Sequence, residues 1–302
     1  MTDSSLHLLG NHKKTIPVER SKLTTRVALF TNARDERNIK EWAAHHLGLG
    51  FSVIYIFDHK SKYPLQKVFQ NFDKRVIVER CLLNVPPKIP LMKRAAKIAS
   101  SMHVDWFIYL DADEFIILNT PFNIGIKKFL DHYSFADSVA INWLMFGSNN
   151  HVKEPSGLIL ENYTKSEPYL DQHVKSFVRP SQVVRVTNPQ FYHVSNPSRM
   201  FSVDNTQMSG TLAFHKPGTQ RPFQEAIAFI AHYIYQSEET YIKRKIQKPC
   251  DDTGALRTRD LEIHKRHNDV DNFIPREKYS LGVKYILDSK QEQPQEQRGV
   301  NA

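Results

Sequence analysis

The sequence predicts an α/β protein whose mainly parallel central sheet is flanked by helices on both faces. Two observations support this prediction. Short apolar segments of strand character alternate with segments of helical periodicity between residues 26 and 110. Polar clusters also follow three of those strands. In a parallel sheet the carboxyl ends of the strands lie at one edge, and ligands bind there.

Six segments form the first part of the predicted sheet. They are the strand Val27–Asn32, the helix Asp35–Gly50, the strands Ser52–Asp58 and Arg75–Glu79, the helix 88–103 and the strand Trp106–Leu110. The first helix carries Ile39, Trp42 and His46 at helical spacing and ends at Gly50, the residue type that most often follows a helix. The last strand is wholly apolar, as expected of a strand covered on both faces.

The later part of the chain is less regular. We predict strands at Ser138–Phe146 and His173–Arg179, an apolar run at Glu225–His232, a helix with a basic end at Ser237–Ile246 and a loop-rich stretch at Thr187–Gly210. Residues 1–25 are polar and predict an irregular arm. The low-complexity residues 289–302 predict a disordered tail.

The charge balance favours an anionic partner. The formal net charge is +9 and the sequence pI is about 9.4, which suits nucleic acid, a membrane surface or a phosphorylated small molecule. The basic residues are scattered and form no long stripe interleaved with aromatic residues. This distribution argues against a nucleic-acid-binding protein.

The sequence also favours a cytoplasmic location. Apolar runs such as Trp106–Leu110 are far shorter than the roughly 20 residues of a transmembrane helix. The N-terminus lacks the basic start and continuous apolar stretch of a secretory signal. The two cysteines, Cys81 and Cys250, are too few and too far apart to indicate a disulfide framework or a thiolate metal site.

An acidic cluster follows the most apolar strand, in the segment DWFIYLDADEF (105–115). Asp111 and Asp113, two residues apart in a turn, can converge on a divalent cation, which prefers oxygen ligands. Such a cation keeps coordination positions open for a diphosphate and neutralises charge on a departing nucleoside diphosphate. The competing interpretations are a solvated turn or a helix cap. A metal-dependent nucleotidyltransferase or phosphohydrolase could use the same acids.

Five segments of the chain resemble glycosyltransferase family 2-like proteins and their family 92 relatives, in the order of the family. They are NARDERNIKEWAAHHLGLGFSVIYIFDHKS (32–61), DWFIYLDADEF (105–115), INWLMFGSNNH (141–151), KSFVRP (175–180) and HYIYQSEETYIKRK (232–245). The resemblance implies a GT-A fold, in which a Rossmann-like nucleotide-binding half is joined to an acceptor-binding half. We therefore expect one catalytic domain at 26–288, divided into 26–135 and 136–288.

The resemblance also implies transfer of a sugar from a nucleotide donor, most often a UDP-sugar, with manganese or magnesium and inversion at the anomeric carbon. Asp111, Asp113 and a C-terminal histidine, His232, would be the metal ligands. The residues expected to contact the donor nucleotide are Asn32, Arg34, Glu36, Asp58, Asp111, Lys243 and Lys245. The alternatives are a turn acid at Asp58, a helix-terminal acid at Glu36, a core side chain at His232 and a solvated helix end at 243–245.

The acceptor half holds the remaining candidates. Trp143, Phe146 and His151 are expected to line the acceptor pocket, because sugars stack on aromatic faces; ordinary core packing is the alternative. An inverting transferase also needs a general base near the acceptor hydroxyl, normally a carboxylate. We favour Asp171 because it precedes the KSFVRP strand. Glu154, Glu161 and Asp204 remain open, because no local spacing separates them.

Overall fold

The computed structural model describes residues 25–84, 86–119, 124–208, 221–258 and 262–290. The predicted arm lies outside these residues except for residue 25, and the predicted tail lies outside them beyond residue 290. Among the described residues, no helix has the length and apolar character needed to cross a membrane.

Thirteen strands and seven helices form the described part of the chain. The strands are β1 (Val27–Ala33), β2 (Val53–His59), β3 (Val76–Cys81), β4 (Trp106–Tyr109), β5 (Glu114–Leu118), β6 (Ser138–Met145), β7 (Lys165–Ser166), β8 (Val174–Val178), β9 (Val183–Asn188), β10 (Phe191–Val194), β11 (Met200–Ser202), β12 (Ala228–His232) and β13 (Val270–Asp271). The helices are α1 (Ile39–Gly48), α2 (Leu65–Val68), α3 (Lys88–Ser101), α4 (Ile126–Asp131), α5 (Ile159–Asn162), α6 (Glu238–Tyr241) and α7 (Ile274–Ser289). A π-helical turn, Ile242–Ile246, continues α6.

A nine-stranded mixed sheet forms the centre of the fold. Its order is β3-β2-β1-β4-β8-β6-β12-β5, and β11 pairs with β6 outside this path. The first four strands are mutually parallel, and β6 is parallel to β11 and β12. Only β8 and β5 run antiparallel to their neighbours in this sheet. The predicted α/β class with a mainly parallel sheet is therefore confirmed, and it is compatible with a Rossmann-like GT-A fold.

The turn between β4 and β5 lies beside the end of β12. Glu114, the first residue of β5, pairs with His232, the last residue of β12. The amide of Tyr233 donates a hydrogen bond to the carbonyl oxygen of Asp113 over 2.9 Å. Strand pairing thus brings two distant segments of the sequence, the DADE turn and the HY dipeptide, to the same sheet edge.

Helix α1 is held against β5 by buried polar side chains. Trp42 Nε1 donates to the carbonyl oxygen of Glu114 over 2.8 Å, and His45 Nε2 lies 2.8 Å from the carbonyl oxygen of Ile116. Burial lowers the pKa of His45 to about 4. The ring is therefore neutral and donates its Nε2 hydrogen to that carbonyl. Trp42 and His45, which belong to the EWAAHH segment of the family resemblance, therefore attach the helix to the sheet.

Several elements differ from the prediction. The first helix begins at Ile39 instead of Asp35, because Asp35 has a φ of 54° and its amide donates to the Ser61 hydroxyl. The predicted loop-rich stretch contains β10 and β11. Helix α7 was not predicted, because it buries few side chains and so has a weak apolar periodicity. Strand β5 was missed because its apolar residues directly follow the acidic turn.

We predict that Trp42→Phe destabilises the fold by about 1–3 kcal/mol, because it leaves the buried carbonyl of Glu114 without its donor. Urea unfolding would measure the difference. Trp143→Phe is the matched control, since the indole nitrogen of Trp143 has no hydrogen-bond partner among the described residues. Equal losses in the two variants would contradict a specific role for the Trp42 hydrogen bond.

Candidate active site

Two adjoining cavities lie at the sheet edge that carries the DADE turn. The smaller has a volume of about 260 Å³ and is bordered by Asp111, Trp143 and His232 among others. The larger has a volume of about 690 Å³ and is bordered by Glu154 and Thr240 among others. They share a wall formed by Arg34, Glu36, Arg244, Lys248 and Pro249. One extended ligand could therefore reach both cavities.

Asp113 is the more deeply buried of the two aspartates of the turn, and only 1% of the residue is exposed. Its Oδ2 atom accepts from Arg244 Nη2 and Lys245 Nζ, each over 3.0 Å. Burial raises the pKa of Asp113, but Lys245, Arg244 and the nearby imidazole outweigh it and hold the pKa well below its usual value. The carboxylate is consequently ionised.

His232 faces the other oxygen of the same carboxylate. Its Nε2 atom lies 3.7 Å from Asp113 Oδ1, and its Nδ1 atom has no hydrogen-bond partner among the described residues. Burial lowers the pKa of His232 to about 3 against the opposing effect of Asp113. The ring is neutral at physiological pH, so one of its nitrogens has a lone pair available to a ligand.

Two buried lysines converge on Asp111. Lys88 Nζ bonds Oδ1, and Lys175 Nζ lies 3.3 Å from Oδ2. Only 5% and 1% of these lysine side chains are exposed, against 36% of the Asp111 side chain. Burial and the charge of Lys175 lower the pKa of Lys88 to about 7. The amino groups of these two lysines, which are more deeply buried than Asp111, thus hold its carboxylate at the cavity surface.

Glu114 lies beneath the turn and orders its backbone. Its Oε2 atom accepts the amide hydrogen of Asp111 over 2.8 Å, and Lys175 lies 3.7 Å from its Oε1 atom. Burial raises the pKa of Glu114 to about 7, even though the charges of the lysines oppose this shift. We therefore assign Glu114 to positioning the turn.

The smaller cavity carries an excess of positive charge. Seven basic residues border it, namely Arg34, Lys88, Lys175, Arg244, Lys245, Lys248 and Arg257. Four acidic residues border it, namely Glu36, Asp111, Asp251 and Asp252. Asp113 and Glu114, buried behind the wall, reduce this excess without reversing it. Such a cavity attracts an anionic ligand.

Two of the three predicted metal ligands lie side by side. The described residues contain no group of three or more His, Cys, Asp and Glu side chains arranged to hold a metal ion. Asp113 and His232 nevertheless present an ionised carboxylate and a neutral imidazole 3.7 Å apart. Both donors suit Mn²⁺, and a bound diphosphate and water would supply further ligands. The donor chemistry of this pair fits a divalent cation.

The predicted nucleotide-contacting residues fall into two groups. Those that border the cavities are Arg34, Glu36, Asp111, Lys243 and Lys245. Asn32 and Asp58 are buried behind the edge instead. Asn32 joins Tyr109 to Asp251 through its two amide atoms, over 2.9 and 2.6 Å. Glu36 accepts from Arg244 Nε over 2.8 Å, which links the loop after β1 to the π-helical turn.

Both oxygens of Asp58 are occupied by the protein. They accept from the amides of Ser61 and Leu65, over 3.1 and 3.0 Å, and from Arg80 Nη1, over 2.7 Å. Burial raises the pKa of Asp58, but these hydrogen bonds outweigh it and lower the pKa below its usual value. These contacts match the turn-acid interpretation of Asp58.

The three predicted acceptor-pocket residues lie in different environments. Trp143 borders the smaller cavity, and its ring centroid is 4.5 Å from that of His232. Phe146 is fully buried and packs against Tyr233, with 4.7 Å between the ring centroids. His151 Nε2 lies 3.2 Å from the carbonyl oxygen of Asn162. Only Trp143 borders either of the two cavities described above.

The four candidate bases are separated by their surroundings. Asp171 accepts from the backbone and ring of His173, and Glu161 pairs with Lys284 over 2.6 Å. Asp204 lies 3.7 Å from Arg221, away from both cavities. Glu154 borders the larger cavity, and its Oε2 atom accepts from three hydroxyl groups, those of Tyr163, Ser237 and Thr240.

The sequence predicted no individual role in the site for Lys88, Lys175 or Arg244. Lys175 stands in the KSFVRP segment, which supported the resemblance without receiving a role. Arg244 lies within the noted basic cluster 243–245, but only the structure shows that it bonds both Glu36 and Asp113. No local pattern marks Lys88, since a lysine at the start of a helix is ordinarily solvated.

Comparison with known proteins identifies the family to which these residues belong. The family model described as glycosyltransferase family 92 matches residues 27–273. The matched range begins at the first residue of β1 and contains all thirteen strands, both lysines and the Asp113–His232 pair. No curated protein matches the chain.

We predict that Asp58→Asn lowers the stability at pH 7 by about 1–3 kcal/mol, through the lost charge-assisted hydrogen bonds. Because folding lowers the pKa of Asp58, its contribution is complete above the unfolded value of about 3.9 and is lost as the pH falls through the folded value. Urea unfolding from pH 7 to pH 3 should show the gap between wild type and variant closing. The exposed Asp288→Asn on α7 is the control, and a gap independent of pH would refute the assignment.

Proposed function

The chain belongs to glycosyltransferase family 92, and from that premise we propose that it transfers a sugar from a UDP-sugar to a hydroxyl group of a glycan or another acceptor. The family makes the protein a glycosyltransferase. The donor class is supported by one observation above all: the positively charged cavity beside Asp113 and His232. Uridine as the nucleoside rests on the family resemblance.

The smaller cavity suits the diphosphate of the donor. It lies at the edge where β1 and β4 end, the usual ligand position in such sheets, and its basic side chains complement two phosphoryl groups. The shared wall allows the rest of the donor to extend into the larger cavity. The charges that bind the ground state also stabilise the leaving diphosphate, whose negative charge grows during transfer.

We propose Asp113 and His232 as the residues that hold Mn²⁺ or Mg²⁺. Such a cation would neutralise charge on the departing diphosphate. Arg244 and Lys245 keep Asp113 ionised and direct its second oxygen towards His232. The imidazole stays neutral because it is buried, so it remains a competent ligand.

Glu154 is the general base that the geometry supports best. Of the four candidates, it alone borders a cavity that shares a wall with the smaller cavity. Three hydroxyl groups hold Oε2, and Oε1 makes no hydrogen bond to the described residues. Oε1 can therefore accept the proton of an acceptor hydroxyl as that hydroxyl attacks the sugar, in one displacement that inverts the anomeric carbon.

We predict that the wild-type protein releases UDP from a UDP-sugar when Mn²⁺ and a mixture of glycan acceptors are present. The assay should include GDP-sugars as the matched alternative donor. A chelator should abolish the release, and added Mn²⁺ should restore it. Release of GDP alone would contradict the uridine assignment, and release unaffected by the chelator would contradict the metal. Release of only pyrophosphate or phosphate would indicate nucleotidyl transfer or phosphohydrolysis.

We predict that Glu154→Gln lowers kcat by about 10²–10⁴-fold, the usual contribution of a general base, while UDP binding stays unchanged. Glutamine preserves an oxygen that can accept from the neighbouring hydroxyl groups, so the local fold is retained. The control is Glu161→Gln, which removes an ion pair with Lys284 outside the cavities. An unchanged kcat in Glu154→Gln would return the assignment to Asp171 or Asp204.

A further inference from the structure

We propose that Lys88 and Lys175 bind the donor diphosphate, and that donor binding releases Asp111 from both lysines. This inference rests on the proposed function and adds to it. It identifies two phosphate-binding residues that lie outside the acidic turn. It also makes the ion pairs around Asp111 a feature of the ligand-free state.

The first argument is the number of unused donors. When both amino groups are protonated, the state that an entering anion favours, they carry six N–H bonds between them. Lys88 Nζ makes one hydrogen bond to the described residues, to Asp111, and Lys175 Nζ makes two, to Asp111 and to the carbonyl oxygen of Pro189. A buried ammonium with unmet N–H groups is costly. A ligand that accepts several hydrogen bonds would satisfy them.

The second argument is position. The lysines come from separate elements, the first residue of α3 and the second residue of β8, yet both border the smaller cavity. The amino group of each lysine lies over an aromatic ring: Lys88 Nζ is 4.9 Å from the Tyr109 ring centroid, and Lys175 Nζ is 5.7 Å from that of Trp143. The charged ends are thereby held in place, which limits the entropy lost on binding.

The third argument is charge. Lys248 and Arg257 border the same cavity, so an anion entering it meets at least four cations. One carboxylate, Asp111, is shared by the two lysines, whereas a diphosphate offers several oxygens and at least two negative charges. A diphosphate is therefore the stronger partner for both ammonium groups. A volume of about 260 Å³ accommodates this group, and the nucleoside would lie beyond it.

Release of Asp111 has a consequence for the cation. Once the amino groups of the two lysines bind the diphosphate instead of Asp111, the Asp111 carboxylate becomes available to a cation or its bound water. Cation and diphosphate should then favour each other's binding, because each removes a competitor of the other. The role that the sequence predicts for Asp111 would thus apply to the donor-bound state.

The test compares binding of inorganic pyrophosphate, UDP and uridine by calorimetry in Lys88→Met and Lys175→Met. Methionine keeps the length of the buried stem and removes the charge. We expect affinity for pyrophosphate and for UDP to fall about tenfold or more in each variant, with uridine binding unchanged. Lys93→Met, an exposed residue on α3, is the matched control and should resemble the wild type. Unchanged pyrophosphate affinity in both variants would overturn the proposal.

Asp111→Asn separates phosphate binding from a structural role. If the lysines bind phosphate, this variant should bind pyrophosphate without metal as tightly as the wild type or more tightly, because their competitor is gone. If the lysines only hold Asp111, the variant should lose affinity as the lysine variants do, and the proposal fails.

Pyrophosphate binding also tests the role of the two lysines separately from the proposal that the donor is a UDP-sugar. Lysine-dependent pyrophosphate binding without turnover of any UDP-sugar would refute UDP-sugar as the donor and leave the two lysines assigned to a diphosphate. Turnover of a UDP-sugar that is insensitive to both lysine substitutions would refute the inference and leave the proposed function standing.

Discussion

The ion pairs of Asp113 are the interaction on which the site depends. This buried carboxylate holds Arg244 and Lys245, which lie more than a hundred residues later in the chain. Arg244 also forms an ion pair with Glu36, in the loop after β1. Removal of one partner from a buried ion pair typically costs about 3–5 kcal/mol, because the other charge is left uncompensated. The π-helical turn is thus held against the sheet edge by charge.

The same ion pairs and the burial of the site together set the protonation states of Asp113 and His232. Surrounding cations keep Asp113 ionised in spite of its burial, whereas burial keeps His232 neutral. A carboxylate and an imidazole in these two states are able to share a cation. This arrangement buries a dense group of charges, including Lys88 and Lys175, and their desolvation costs free energy. Apolar residues of similar size would pack there with a smaller desolvation cost. Binding of an anionic donor would recover part of that cost.

The family-like segments divide into residues that shape the fold and residues that border the cavities. Trp42 and His45 in the first segment bond the backbone of β5, and Glu41 accepts the amides of Ile159 and Leu160 in α5. Asp111, Lys175 and His232 in later segments border the smaller cavity. A recurring segment therefore does not by itself mark a catalytic residue. Burial and hydrogen-bond partners make that distinction.

The sequence by itself determined the fold class, the family and the position of the acidic turn. Alternating apolar segments and helical spacing are local properties, so the strands from β1 to β4 and the helix α3 could be predicted from neighbouring residues. The apolar periodicity of α7 is weak, so that helix was not predicted from the sequence. The tertiary structure alone decided which side chains meet. Strand order and the crossing of the chain bring together Asp113 with His232, Asp111 with Lys88 and Lys175, and Asp58 with Arg80. No short stretch of sequence encodes those distances.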